Sequence, residues 1–537
     1  MDWNFILFRV TRVLAVLGAA DAFQYPRASP STFGRDLLSK LSSTNAVESQ
    51  AVTTREEEAK NIEEGRFDWN KQWYPVLSLK HTDEGRAQPV QLLGKDLVVW
   101  RDNEGRWSCF DDRCPHRAAP LTEGRVEKDG TLMCAYHAWR FDADGKCLSI
   151  PQSESGGRDK AQPKACAKVY PTQVAQDIIW IWGENGPDAA LESAISSPAL
   201  IQTPPGKKLI AGAVTQRDLP YGWDVFMENV VDPSHVGVSH HGIMGNRYDI
   251  KPKPLELVGG SLSKKGFSVA AESEVGSGRD ASSFIAPSLV QIGAEKPEDR
   301  TFQLVLYNIP TRPGWSRMVS YQASFVPEDS KAKGNMIIPS APGGIQPHDL
   351  PDWVQHVFGH KFMAQDLVFL HHQERTLAAS GIDSRNYGNA VYVPTTADTG
   401  VINLRKWIAT FTGGGPAWVS GCDRTMPPKE WKRDVLLDVY EQHTKNCTAC
   451  LGALKRVKRL LAAAKTSAVV SLAWAVLRAA RASNASTLTS ALARNGFTLR
   501  AMLPGLALTF ASLAAMKVLE SLRGAFYTSP YHHQDND

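Results

Sequence analysis

The sequence predicts an α+β chain: an antiparallel β domain, then an antiparallel sheet wrapped by helices, then a C-terminal apolar helical anchor. Three observations predict it. Over residues 66–187 hydrophobicity alternates with period two and breaks at Gly/Asp turns, the pattern of short strands. Over 201–453 strand-like and helix-like stretches share a second domain. From 455 to 520 the chain turns basic and apolar. At 537 residues it exceeds a single domain of ~150, and 43% apolar with 22% charged residues suits a buried core. Sixty Lys+Arg against 56 Asp+Glu, net +4, is too balanced for a dedicated nucleic-acid binder.

Residues 1–22 read as a secretory signal, with Arg9 and Arg12, an apolar run over 13–20 and the small-residue box Ala20-Asp21-Ala22. The uncharged run is too short to span a bilayer. Residues 23–65 read as a transit peptide and linker, opening on Phe23, carrying Arg27, Arg35 and Lys40, and closing on an acidic run from Arg55. A signal joined to a Phe-led transit peptide resembles the bipartite leader of secondary plastids. A plain secretory signal with a disordered arm is the other reading.

The β domain follows. Val90–Leu93, Leu97–Trp100, Trp107–Phe110, Tyr136–Phe141, Lys146–Ile150 and Ile178–Trp182 read as its strands. Eight cysteines are too few for a disulfide scaffold at this length. Spacing says more than number: Cys114-Pro-His116 is followed by Cys134-Ala-Tyr-His137. Two thiolates and two imidazoles on two loops suit one metal centre, and zinc is one candidate. The spacing is not that of a finger, and no recognition helix follows. It matches a Rieske [2Fe-2S] centre, Cys114 and Cys134 on one iron and His116 and His137 on the other. Ala119 and Tyr136 occupy the positions of the disulfide that respiratory Rieske proteins carry, so the pattern is oxygenase-like. Ala138 stands where that pattern usually has Gly.

The second domain carries Asn229-x-x-Asp232-x-x-His235-x-x-x-x-His240. Two imidazoles with a carboxylate suit a facial triad holding Fe(II) with open positions. Asp366, read as opening an apolar-periodic helix, is the third candidate ligand; its plain alternative is a helix N-terminal carboxylate. His241, His371 and His372 are weaker candidates. Phe302–Ile309 and Arg317–Phe325 read as a hairpin about Pro310–Gly314.

Several segments are similar to the pheophorbide a oxygenase family. They include Phe67-Asp-Trp-Asn-Lys-Gln-Trp-Tyr-Pro-Val, Phe110-Asp-Asp-Arg-Cys-Pro-His-Arg, Met227-Glu-Asn-Val-Val-Asp-Pro-Ser-His and Leu404-Arg-Lys-Trp, and the likeness runs over roughly 66–453. The resemblance implies a Rieske non-haem iron oxygenase acting on a chlorophyll-derived tetrapyrrole with O2. It implies electrons from ferredoxin or a similar donor, since no nucleotide fingerprint is present. It also implies a homo-trimer, with Asp232 receiving electrons from a neighbouring subunit's cluster. A protochlorophyllide a oxygenase and a translocon-associated Rieske redox protein or sensor are related alternatives within the same plastid branch, and chlorophyllide a oxygenase is an alternative from a more distant plastid cousin. A redox protein would keep the cluster and use Cys447/Cys450 as its switch.

That Cys447-x-x-Cys450 pair is a redox-switch candidate or two thiols near a helix end; as half a zinc site it lacks a second C-x-x-C, and His443 is a weak partner. The remaining cysteines read as packing thiols. Between Glu441 and Glu520 no acidic residue occurs, while eleven Lys/Arg do. The apolar runs 466–477 and 501–516 fall short of the ~20 residues of a comfortable span. With basic flanks they imply attachment to an anionic membrane face, spanning or interfacial, in a plastid.

Overall fold

The computed structural model describes residues 66–154, 158–273, 278–296, 298, 300–330, 350–482 and 499–533. The leader lies outside the described residues. Where hydrophobicity alternates, the chain forms three small antiparallel sheets. β1 (Trp73–Ser78), β11 (Ile178–Trp182) and β10 (Thr172–Ala175) make one, in that order. β2 (Gln88–Leu92), β3 (Lys95–Arg101), β4 (Trp107–Asp111) and β9 (Val169–Tyr170) make the second. β5 (Arg125–Val126), β6 (Leu132–Met133), β7 (Arg140–Phe141) and β8 (Cys147–Ser149) make the third. The apolar run of β11 is buried along its whole length, as a strand covered on both faces must be. The strand expected over 136–141 shrinks to β7. Residues before it instead turn back, Ala138 N–H bonding Cys134 O at 3.0 Å, and leave the ladder.

A fourth, larger sheet has eight antiparallel strands. β12 (Lys207–Ala211), β19 (Trp315–Pro327), β18 (Phe302–Arg312), β17 (Leu289–Ala294), β16 (Arg279–Ile285), β15 (Gly266–Glu272) and β14 (Glu256–Leu257) are adjacent in that order, and β13 (Thr215–Leu219) also pairs with β19. The β18–β19 hairpin is longer than the alternation suggests, running to an Arg312↔Trp315 pair. Gly314 turns it at φ +71°, where a Cβ would meet the Arg375 guanidinium at 2.8 Å.

Four helices frame the catalytic half: α1 (Trp223–Val230), α2 (Val236–Ser239), α3 (Asp352–Ala379) and α4 (Thr399–Thr412). Buried charge binds three of them together. Arg405 on α4 donates to Asp224 Oδ2 at 2.8 Å and to Glu228 Oε2 at 2.6 Å, both on α1. Glu228 Oε1 also accepts from Gln373 Nε2 of α3 at 2.8 Å. Removing one partner from such a set typically costs about 3–5 kcal/mol, because the other charge stays buried and alone. Phe67 and Trp69 carry the apolar core from the β half into the helices. Ring centroids lie 5.0 Å apart for Trp69–Trp223 and 5.3 Å for Phe67–Trp407. Residues 67–531 form one unit.

Two long helices, α5 (Thr448–Ala482) and α6 (Leu499–Gly524), pack side by side. The two short apolar runs are parts of these longer helices, each long and apolar enough by length and composition to cross a membrane. Pro504 sits inside α6 without ending it. The hairpin is inside-out in polarity. Ser471 Oγ meets Thr509 Oγ1 at 2.8 Å and Ser512 Oγ meets Ser467 Oγ at 3.0 Å between the helices. Val469, Val470, Leu477 and Phe510 face outward, each more than half exposed. After α6 the chain returns: Val439 N–H bonds Tyr527 O at 2.9 Å and Arg433 Nη1 bonds Tyr531 O at 2.7 Å.

Candidate cluster and iron sites

Cys114 follows β4, and Cys134 lies between β6 and β7, so two neighbouring sheets each deliver one loop. The loops share one backbone design. Cys114 N–H bonds Ala119 O at 2.8 Å and Ala118 N–H bonds Cys114 O at 2.9 Å. In the other loop Cys134 N–H bonds Trp139 O at 2.9 Å, and Ala138 repeats the return bond. Both returns need a left-handed residue, supplied by Ala118 at φ 58° and Ala138 at φ 59°. The missing glycine has therefore not changed the loop angle; alanine adopts it.

The two thiols are buried and the two imidazoles sit at the rim, His116 exposed and His137 half-buried. Their rings lie 4.5 Å apart, and Trp139 stacks on His116 at 4.8 Å with planes 3° apart. Burial, with Cys134 alongside, pushes the Cys114 thiol up to about 12. Metal binding is what deprotonates a thiol buried in this way. Two inward sulfurs and two outward imidazoles fit a [2Fe-2S] centre with one histidine-bound iron. Tyr136 stands 63% exposed, and no disulfide links the loops.

The second site gathers His235, His240 and Asp366, whose donor atoms lie within 4.8 Å of one another. Asp366 Oδ2 is 3.1 Å from His240 Nε2 and 3.9 Å from His235 Nε2. Asp366 does not open a helix: α3 begins at Asp352, so the carboxylate projects from mid-helix, beyond reach of the N-terminal amides. Asp232 is likewise not on a helix with His235. The helix ends at Val230, and Asp232, with extended backbone, caps the next turn by accepting from Ser234 N–H at 2.8 Å.

Both imidazoles are held in the same tautomer. His240 Nδ1–H donates to Gln365 Oε1 at 2.8 Å, and His235 Nδ1–H donates to the Asp232 backbone carbonyl. With Nδ1–H so engaged, each ring turns its Nε2 toward Asp366, the arrangement metal-binding histidines require. Phe362 stacks on the His240 ring at 3.6 Å. Burial opposes a charged His235, yet Asp232 and Asp366 outweigh it and raise its pKa above the ordinary histidine value. A field that favours an imidazolium favours a divalent cation equally. Two imidazoles, one carboxylate and this field fit a mononuclear Fe(II).

Sequence reasoning passed over Gln365 and Phe362, although Gln365 adjoins Asp366 in the chain. His371 is buried but spent: Nδ1 bonds Pro220 O at 2.6 Å and Nε2 accepts from Glu430 N–H at 2.9 Å. His241 Nδ1 accepts from Arg247 N–H at 3.1 Å. Cys447 directly precedes α5 and Cys450 lies in its first turn, so the pair sits at the N-terminal end of a helix, buried with His356 and His443. His443 Nε2 is 3.3 Å from Cys450 Sγ.

Residues 72–171 match the family model of the Rieske [2Fe-2S] domain, and residues 284–383 match that of pheophorbide a oxygenase. The chain is 33% identical over 414 residues to the chloroplastic pheophorbide a oxygenase of Oryza sativa subsp. japonica, covering 74% of this chain and 75% of that one. It is 31% identical over 456 residues to the chloroplastic flavonoid 8-hydroxylase 2 of Ocimum basilicum, covering 80% and 82%. To the protochlorophyllide-dependent translocon component 52 of Arabidopsis thaliana it is 31% identical over 448 residues, covering 74% and 75%. At this identity and coverage the chain belongs to the pheophorbide a oxygenase family of Rieske non-haem iron oxygenases, which use O2 and an external electron donor.

Proposed function

We propose that the chain oxygenates a chlorophyll-derived tetrapyrrole bearing a free carboxylate. Cys114, His116, Cys134 and His137 hold the [2Fe-2S] cluster, and His235, His240 and Asp366 hold the iron. When bound, the cluster supplies single electrons and the iron supplies O2 activation. The protein keeps His235 and His240 in one tautomer and offers a half-buried Asp232 carboxylate beside His235, Oδ2 at 3.8 Å from Nδ1. In a homo-trimer that carboxylate would stand between the iron site and a neighbouring subunit's cluster, on the path by which electrons would arrive.

One observation carries the substrate class. The segment after His240 folds back on it, with Met244 and Gly245 N–H bonding His240 O at 2.9 and 3.0 Å. It thereby presents Met244, Tyr248 and Ile250, and α2 adds Val238, each about half exposed or more, beside the iron ligands. Among these apolar side chains, Nε and Nη2 of Arg247 are shielded from water without a hydrogen-bond partner. An apolar rim beside a guanidinium with two unpaired N–H-bearing nitrogens suits a large flat apolar ring system carrying a carboxylate. The likeness to pheophorbide a oxygenase supports the same substrate.

Exposed Arg113 and Arg117 flank His116 and suit an acidic donor such as ferredoxin. The outward apolar face of α5 and α6, with exposed Lys455, Arg456, Lys458 and Arg459 at its base, supports attachment to a plastid membrane. The chloroplastic relatives support that location, and the leader supports a secondary plastid. The flavonoid hydroxylase likeness favours one second reading, a plastid flavonoid as substrate.

The test incubates full-length detergent-purified protein with reduced ferredoxin, O2 and a panel: pheophorbide a and its methyl ester, chlorophyllide a, protochlorophyllide a and a flavone. The expected product is one tetrapyrrole acid gaining oxygen from O2, with the methyl ester turned over poorly. Arg247→Leu should reduce the preference for acid over ester by about tenfold, the worth of one charge-assisted pair. Oxygenation of the flavone alone would establish the second reading. No turnover on any tetrapyrrole, with both metal sites loaded, sinks the proposal.

A further inference from the structure

We propose that His356, His443, Cys447 and Cys450 form a structural zinc site joining the tail to the catalytic half. Their donor atoms lie within 4.8 Å of one another, and none of the four residues exceeds 2% exposure. His356 Nδ1 is 3.5 Å from Cys447 Sγ and 3.4 Å from Cys450 Sγ, facing both sulfurs at once. His443 closes the fourth side, its Nε2 at 3.3 Å from Cys450 Sγ.

The ring of His443 is oriented as a ligand's would be. Its Nδ1–H donates to the Gln216 carbonyl at 2.5 Å, so the unprotonated Nε2 faces the sulfurs. Two sulfurs and two imidazoles with no described carboxylate among them are a soft, tetrahedral donor set, poor for magnesium or calcium and suited to Zn²⁺. Four protein donors leave no position for water, which separates this site from the iron triad and marks it as structural. A Rieske-type cluster puts both thiolates on one iron and both imidazoles on the other, which holds the nitrogens away from the sulfurs; here His356 Nδ1 faces both sulfurs and His443 Nε2 touches one, which suits a single ion.

The site has an architectural consequence. His356 lies near the start of α3, the helix that carries Asp366, ten residues or ~15 Å further along. Cys450 lies in the first turn of α5. One ion therefore fastens the tail hairpin to the helix that bears the iron carboxylate.

The test is metal analysis of the full-length holoprotein. It should contain ~1 zinc per chain beside its iron, and zinc-edge X-ray absorption should show about two sulfurs near ~2.3 Å and two nitrogens near ~2.0 Å. Cys450→Ser and His443→Ala should each lower zinc by about tenfold or more, with the Rieske EPR signal unchanged; Cys166→Ser should keep the zinc. Iron-replete wild-type protein that lacks zinc, or has only oxygen and nitrogen around it, overturns the assignment. So does a Cys447–Cys450 disulfide in most molecules, the mark of a redox pair. The absorption spectrum of the wild type decides the matter even if both variants fail to fold.

Discussion

Ala138 holds a left-handed backbone at φ 59° for the sake of one hydrogen bond, from its N–H to Cys134 O. That conformation costs a non-glycine residue about 1–2 kcal/mol, while glycine there adds about 0.4–1 kcal/mol of unfolded-state entropy. Ala138→Gly should therefore stabilise the β half by roughly 0.5–1 kcal/mol, seen as a higher denaturant midpoint at unchanged slope. A lower midpoint would mean the alanine methyl packs where the backbone argument predicts only strain. The cluster residues were legible because each Cys–His pair lies within four positions of sequence. His356 was not: 91 positions separate it from Cys447, and only the packing of α5 against α3 brings them together. Gln365 escaped notice for a different reason. Its role is to accept from His240 Nδ1–H, and spacing does not encode a partner's tautomer.

At the scale of elements, the break between α1 and α2 matters more than either helix. Pro233 cannot continue α1, so the chain leaves helical geometry at Asp232 and re-enters it with His235 turned toward α3. The spacing of Asp232, His235 and His240 gives the residues but does not encode this break, which decides where the Asp232 side chain goes. Its Oδ1 caps the turn while Oδ2 faces His235. Asp232→Asn keeps an oxygen for the cap and leaves the backbone carbonyl that holds His235 Nδ1–H. Iron content and the Rieske spectrum should thus be unchanged, while turnover falls by about 100-fold as the charge beside His235 is lost. Turnover within a few-fold of wild type would leave Asp232 as a cap and nothing more. The β18–β19 hairpin and β11 were legible from alternation and continuous apolarity. The strand over 136–141 was not, because a metal loop can alternate as a strand does.

For the whole molecule, the tail is an excursion and not an end. Lys465 and Glu520 face each other across α5 and α6 at 4.0 Å, and beyond Glu520 the chain returns to bury Phe526 against Cys450 and Val457. Truncation after Lys455 would remove that returning strap along with the apolar hairpin. Excising residues 467–515 and bridging the gap with a short Gly-Ser linker isolates the hairpin instead. The excised form should leave the membrane fraction while retaining its cluster spectrum. Sedimentation with membranes after a high-salt wash would place the anchor elsewhere.

The outward face of Val469, Val470, Leu477 and Phe510 also bears on how a substrate is encountered. A catalyst anchored through such a face samples compounds dissolved in the bilayer by two-dimensional diffusion. Its apparent affinity then follows the mole fraction of substrate in lipid, not the aqueous concentration. Adding inert lipid at constant total substrate dilutes the surface and slows the reaction, an effect the excised form would escape.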